Sequence, residues 1–166
     1  MSTTTIYRLG LHPGEIGEVR NSWRGAMYVW DDIAKRYFGL TNFPMFDEAM
    51  RKKIWNASSH VKMPRHEVIV LMTTMDGATI QISDVTAVVE SFDRYAYEHP
   101  NSSFGEQAAI MRAAEMEAGD LIAWNQTSVS EFWGCDWDAE KDEQTWYDPM
   151  IGDKHFDAYA EAMAEP

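Results

Sequence analysis

Four carboxylates recur at every fourth position near the end of the chain: Asp153, Asp157, Glu161 and Glu165. A step of four residues in an α-helix advances about 6 Å and returns to nearly the same face, so these side chains would form one acidic stripe. The step is roughly the distance between phosphates along one nucleic-acid strand. The spacing therefore predicts a surface that attracts a basic partner. A solvated helix face is the open alternative.

A second group of acids precedes the stripe, in a segment that reads as an acidic loop over 136–148. The acids are Asp136, Asp138, Glu140, Asp142, Glu143 and Asp148. Trp137 and Trp146 lie among them, and Trp is enriched at the centres of protein interfaces. We interpret these two tryptophans as candidate anchors for a partner. Packing beneath the loop is the alternative. The charges that would steer the partner are Asp138, Glu140, Asp142 and Glu143, together with the stripe.

Other chemistry has weaker support in the sequence. The weak metal candidates are Asp136, Asp138, Glu140 and Asp142. An EF-hand loop counted from the first of these would need Gly and Glu where the chain has Lys141 and Tyr147. The five His and Cys135 have no CxxC or HxxxH spacing, so neither zinc nor another cofactor is expected.

The sequence contains no GxSxG, P-loop or GxGxxG motif. We favour a protein that is not an enzyme. A small enzyme or divalent-metal domain using 136–148, or a structural subunit, stays open.

The charge of the chain is unevenly distributed. The net charge is −13, and residues 101–166 contribute fifteen acids but only three bases, whereas residues 1–60 contribute six acids and eight bases. This balance argues against direct binding to nucleic acid or to an anionic membrane. The 45% apolar content argues against a disordered acidic chain. A single cysteine, no signal peptide and no long apolar run predict a cytoplasmic protein.

The elements that would position these residues belong to the α+β class. We predict one compact domain, 1–166, with an acidic subregion at 120–166 and about four to five helices on a small antiparallel sheet. The predicted helices are 23–38, 44–55, a segment from 83 to before Pro100, 103–119 and 153–164, the first with Trp23 on its inner face. The predicted strands are an edge strand at 4–11 and a hairpin near 67–82, which turns at Asp76-Gly77. The type of 121–124 is left open.

We therefore expect an acidic protein–protein interaction module that blocks a basic, nucleic-acid-binding surface of a target protein. The chain matches no family's motifs. In general character only, its small size, acidity and lack of a catalytic signature resemble the nucleic-acid-mimicking inhibitors of phages and mobile elements, and no residue is carried over. The bases near the N-terminus leave a homodimer open.

Overall fold

The computed structural model describes residues 3–21, 23–41, 48–74, 78–126, 137–138, 140, 143–144 and 157–164. These ranges contain α1 (Ala26–Phe38), α2 (Glu48–Trp55), α3 (Arg65–Met72), α4 (Val85–Glu98), α5 (Phe104–Ala113) and α6 (Asp157–Ala164). The strands are β1 (Thr3–Leu9), β2 (Gly14–Arg20), β3 (Thr79–Gln81), β4 (Leu121–Gln126), β5 (Trp137–Asp138) and β6 (Glu143–Gln144). The predicted α+β class with helices and an antiparallel sheet is confirmed.

The main sheet has the strand order β2-β1-β4-β3, and every neighbouring pair is antiparallel. The first strand is therefore internal, and its prediction as an edge strand was wrong. Its second neighbour is β4, the segment whose type the sequence left open. Ile6 on β1 lies opposite Trp124 on β4, and both side chains are fully buried. Because β4 pairs with β1 on one edge and with β3 on the other, it is an internal strand as well.

The predicted hairpin near 67–82 was wrong. Residues Arg65–Met72 form α3, and β3 pairs with β4 instead of with this segment. The error has a physical cause: four consecutive apolar residues from Ile69 are buried on all sides, because α3 packs against both α4 and α6. A short apolar run has no periodicity that separates a strand from a buried helix. This segment raises the number of α-helices in the described residues to six.

Helix α1 begins later than predicted, at Ala26, and ends as predicted at Phe38. Gly39, which follows it, adopts a left-handed conformation with φ of 64°. Trp23 precedes the helix instead of lying on its inner face. It has a φ of 69° and a side chain that is 60% exposed. Helix α5 ends at Ala113 rather than near Gly119, because the backbone becomes extended at Ala114.

One hydrophobic cluster joins the sheet to the helices. It extends from Ile6 on β1 through Trp30 on α1 to Tyr159 on α6. The indole of Trp30 stacks on Trp55 and donates a hydrogen bond of 2.9 Å to Thr74 Oγ1, so its polar atom is satisfied inside the core. Among the described residues, every helix falls short of the length and apolar character needed to cross a bilayer.

Candidate functional site

The terminal acidic helix, α6, is fixed to α3 by its apolar face. The helical period predicts Phe156, Tyr159 or Ala160, and Met163 on the inner face of this helix. Tyr159 is buried and Met163 is partly buried against the core, whereas Phe156 lies outside the described residues. Ala162, which the period did not predict, is buried as well. Two hydrogen bonds hold the helix in place. The Arg65 Nε donates to the carbonyl oxygen of Ala162 at 2.6 Å, and the hydroxyl of Tyr159 donates to Asp84 Oδ2 at 3.0 Å. The orientation of α6 is therefore defined by both apolar and polar contacts.

This docking places one member of the predicted stripe in solvent. Glu161 is exposed, on the side away from Tyr159. For Asp157 the structure describes only the backbone, as the first residue of α6. Asp153 and Glu165 lie outside the described residues. Positions 157 and 161 are one helical turn apart, so the backbone has the spacing on which the stripe depends.

The predicted acidic loop is described only in part. Trp137–Asp138 pairs with Glu143–Gln144 in a short antiparallel ribbon, for which the structure describes the backbone alone. Glu140, between the two strands, is exposed. The remaining site predictions in this segment lie outside the described residues, namely Asp136, Asp142 and Trp146. The ribbon brings the backbones of Asp138 and Glu143 into register.

Several bases in the first 120 residues form ion pairs with carboxylates in the same part of the chain. Six of them form ion pairs with carboxylates at or before Asp120: Arg8, Arg24, Lys35, Arg36, Arg94 and Arg112. None of these six pairs with a described carboxylate of residues 121–166. That segment contains eleven acids and two bases, which gives it a charge of −9. These six bases therefore pair with carboxylates of residues 1–120, and the larger share of the net negative charge lies in residues 121–166.

A separate polar cluster joins α1, α3 and α4, and the sequence did not predict it. Its centre is Glu67, whose side chain is only 4% exposed. The Arg36 Nη1 donates to Glu67 Oε1 at 2.9 Å, and the Tyr37 hydroxyl donates to Oε2 at 2.8 Å. Arg36 also forms a bidentate pair with Asp32, one turn earlier on α1. The buried carboxylate thus has a charged partner and a neutral partner.

Two histidines contact the carboxylates of this cluster. The Nε2 of His66 lies 2.8 Å from Glu98 Oε2, and the Nε2 of His99 lies 3.8 Å from Asp32 Oδ2. The ring of His99 also stacks on Tyr95, with 4.3 Å between ring centroids. One donor atom from each of His66, Glu67 and Glu98 lies within 4.8 Å of the others. Nitrogen and oxygen donors therefore converge at one point between α3 and α4.

The cluster shifts the ionisation of several of its members. Burial opposes the charged form of Arg36, but hydrogen bonds to Asp32 and Glu67 outweigh it and raise its pKa. Burial and the hydrogen bond to Glu67 raise the pKa of Tyr37 to about 12. Burial, reinforced by the charge of Asp32, raises the pKa of Tyr95. Burial would raise the pKa of Glu98, yet the hydrogen bonds from His66 and Arg94 prevail and lower it. The cluster thus favours the ionised form of Glu98 and the protonated forms of Tyr37 and Tyr95.

The sequence contained only a weak signal of this cluster. Glu67 was assigned to an apolar strand, where a carboxylate would face solvent, and Glu98 lies about thirty residues further along the chain. Neither residue is part of a ligand motif with short spacing. The signal that could have revealed the cluster was the polar His66-Glu67 pair at the start of a buried apolar segment.

Comparisons with protein-family models, with curated proteins and with solved structures gave no match.

Proposed function

We propose that this chain is an acidic protein–protein interaction module whose C-terminal region binds the basic, nucleic-acid-binding surface of a target protein. The observation that carries the proposal is the division of charge in the fold. The six bases named above pair within residues 1–120, while residues 121–166 hold a charge of −9. A segment with such an excess of carboxylates over bases attracts a positively charged surface.

The docking of α6 supports a fixed acidic surface. An acidic tail without structure would lose conformational entropy when it bound a partner. Tyr159 and Ala162 hold α6 against α3 before any partner arrives, so this cost is reduced. Glu161 already faces solvent. The helix would therefore present its charges at a defined spacing.

The binding mechanism we propose is competition with nucleic acid. The carboxylates of the stripe and of the 136–148 segment accelerate encounter with the basic surface, and they do so less well as salt rises. Trp137 and Trp146 supply apolar contacts that slow dissociation. The chain would then occupy the surface that the target otherwise uses for nucleic acid. No contact between this chain and nucleic acid is required.

The experiment compares two double charge reversals in the full chain. One carries Asp157→Lys with Glu161→Lys on α6. The other carries Glu15→Lys with Glu18→Lys on β2, which packs against α5, not α6. Both acids of the control are exposed, and both variants change the net charge equally. The chain and its variants, immobilised, capture proteins from native lysate, and a salt gradient elutes them.

We expect wild type to retain a basic nucleic-acid-binding protein that salt releases and that labelled duplex DNA or RNA displaces. The α6 variant should bind this protein at least about tenfold more weakly, whereas the β2 variant should bind within about twofold of wild type. Equal losses in both variants would mean that net charge alone explains binding. Unchanged binding by the α6 variant, or the absence of any captured basic protein, would refute the proposal. Thermal unfolding of both variants checks that each is folded.

A further inference from the structure

We propose that His66, Glu67 and Glu98 form a binding site for a divalent transition metal, with Zn²⁺ as the best-matched ion. The three residues come from two helices and offer one imidazole nitrogen and two carboxylate oxygens, all within 4.8 Å of one another. This site is separate from the acidic C-terminal surface. It concerns residues for which the sequence predicted no metal.

The distances require only small movements. With metal–ligand bonds of about 2.0–2.2 Å, tetrahedral ligand atoms lie roughly 3.4 Å apart. His66 Nε2 and Glu98 Oε2 are now 2.8 Å apart, so they would separate by about half an ångström. The Glu67 oxygen lies within 4.8 Å of the other two donor atoms. It would therefore approach them by at most about an ångström and a half. Side-chain rotations of this size need no movement of α3 or α4.

The hydrogen bonds of the two carboxylates leave room for a metal. An ionised carboxylate has about four lone-pair positions. Glu67 uses one on each oxygen, for Arg36 and Tyr37, and Glu98 accepts from Arg94 on the oxygen that does not face His66. Hydrogen bonds of this kind orient a ligating carboxylate without occupying its remaining lone pairs. Arg36, Tyr37 and Arg94 would therefore act as positioning residues for the two ligands.

The local charge and exposure also fit a divalent cation. The carboxylates of Asp32, Glu67 and Glu98 and the guanidinium groups of Arg36 and Arg94 face this region. With neutral imidazoles, the charge of these groups is −1 before a metal binds. An ion would take the place of the hydrogen between His66 Nε2 and Glu98 Oε2. The imidazole would then carry its proton on Nδ1, so that it binds the ion as a neutral ligand. The side chains of His66 and Glu98 are 17% and 29% exposed, which gives an ion access from solvent.

The donor set selects the class of metal. An imidazole with two carboxylates suits zinc and its neighbours in the transition series, whereas Ca²⁺ requires six to eight oxygen ligands and Mg²⁺ retains most of its waters. Three protein ligands leave at least one coordination position for water. That arrangement belongs to open zinc sites rather than to closed structural ones.

The test is calorimetric titration of the chelator-stripped full chain with ZnCl₂ in millimolar Mg²⁺, which saturates sites made only of oxygen. We expect one zinc per chain with micromolar affinity and a higher melting temperature. His66→Gln and Glu98→Gln should each weaken binding at least tenfold. Two matched controls should leave it unchanged: His60→Gln, an exposed histidine, and Glu90→Gln, an exposed acid on α4.

A second readout follows zinc binding in the wild-type chain and uses a variant only to assign the signals. In the wild-type chain, zinc should shift the imidazole NMR signals of His66, assigned by their loss in His66→Gln, and should leave those of His60 in place. The absence of a stoichiometric zinc complex would overturn the proposal and leave only the hydrogen bond between His66 and Glu98. Zinc binding that survives both ligand substitutions, or that does not shift the His66 ring, would overturn it as well.

Discussion

The ion pair between Arg36 and the buried Glu67 should be the most costly of the charged contacts on α1 to break. Arg36→Met would remove the only charged group that hydrogen-bonds Glu67 in the described structure, and the Glu67 side chain is 4% exposed. Breaking a fully buried pair by removing one partner costs about 3–5 kcal/mol. Because the Arg36 side chain is 37% exposed, water can partly replace it. We therefore expect a cost of about 2–3 kcal/mol.

Two further variants separate charge burial from the loss of a side chain. Lys35→Met removes the neighbouring base, whose partner Asp31 is on the same helix and more exposed, and should cost about 0.3–0.5 kcal/mol. Glu67→Gln keeps the shape of the side chain without its charge, and should cost about 1 kcal/mol. In the double variant Arg36→Met with Glu67→Gln, the buried side chain at position 67 no longer carries a charge. Its cost should therefore fall short of the sum of the single costs by about 1–2 kcal/mol.

Urea unfolding at pH 7 with EDTA, followed by circular dichroism, measures these differences without interference from metal. With a slope of about 2 kcal/mol per molar, Arg36→Met should lower the midpoint by roughly 1–1.5 M. An Arg36→Met cost no larger than that of Lys35→Met would refute the argument, because Glu67 would then not need its charged partner. Strict additivity in the double variant would do the same.

Two other predictions concern α6 and the phenols. Tyr159→Phe should cost about 1 kcal/mol, since it loses the hydrogen bond to Asp84. Tyr159→Ala should release α6, which limited proteolysis would detect as early cleavage near the C-terminus; resistance equal to wild type would contradict this. Because burial and Asp32 raise the pKa of Tyr95, its protonated form contributes stability that is present below the ordinary tyrosine pKa of about 10 and is lost as pH rises above it. Tyr95→Phe should therefore move the midpoint of alkaline unfolding, followed by tyrosine absorbance, to higher pH. An unchanged midpoint would contradict the assignment.

The sequence predicted those elements in which one face differs from the other. Helix α1 has an apolar face and a left-handed glycine immediately after it, so its period and its end were both readable. The inner face of α6 was predicted for the same reason. Helix α3 has no such difference between its faces, because neighbours bury it on several sides. Its β-branched residues then favoured the prediction of a strand. Only the tertiary contacts distinguish the two possibilities.

The polar cluster could not be predicted for a different reason. Ligand motifs are recognised when donors recur at short spacing on one element. His66 and Glu98 meet because α3 and α4 pack side by side, which is a property of the fold and not of either helix. The exposure of Glu161, in contrast, followed from the helical period alone, since burial of Tyr159 leaves the opposite side of α6 to solvent.

The two proposals draw on different sets of charges, and this difference decides how they respond to salt. The pairs around Glu67 are short and partly buried, so mobile ions screen them weakly. The carboxylates that would face a partner are exposed where the structure describes their side chains, at Glu140 and Glu161, so their attraction should fall steeply as ionic strength rises. A bound zinc ion would change the charge between α3 and α4 without altering the α6 stripe. Salt-sensitive partner binding and zinc binding can therefore each fail alone, and neither result would substitute for the other.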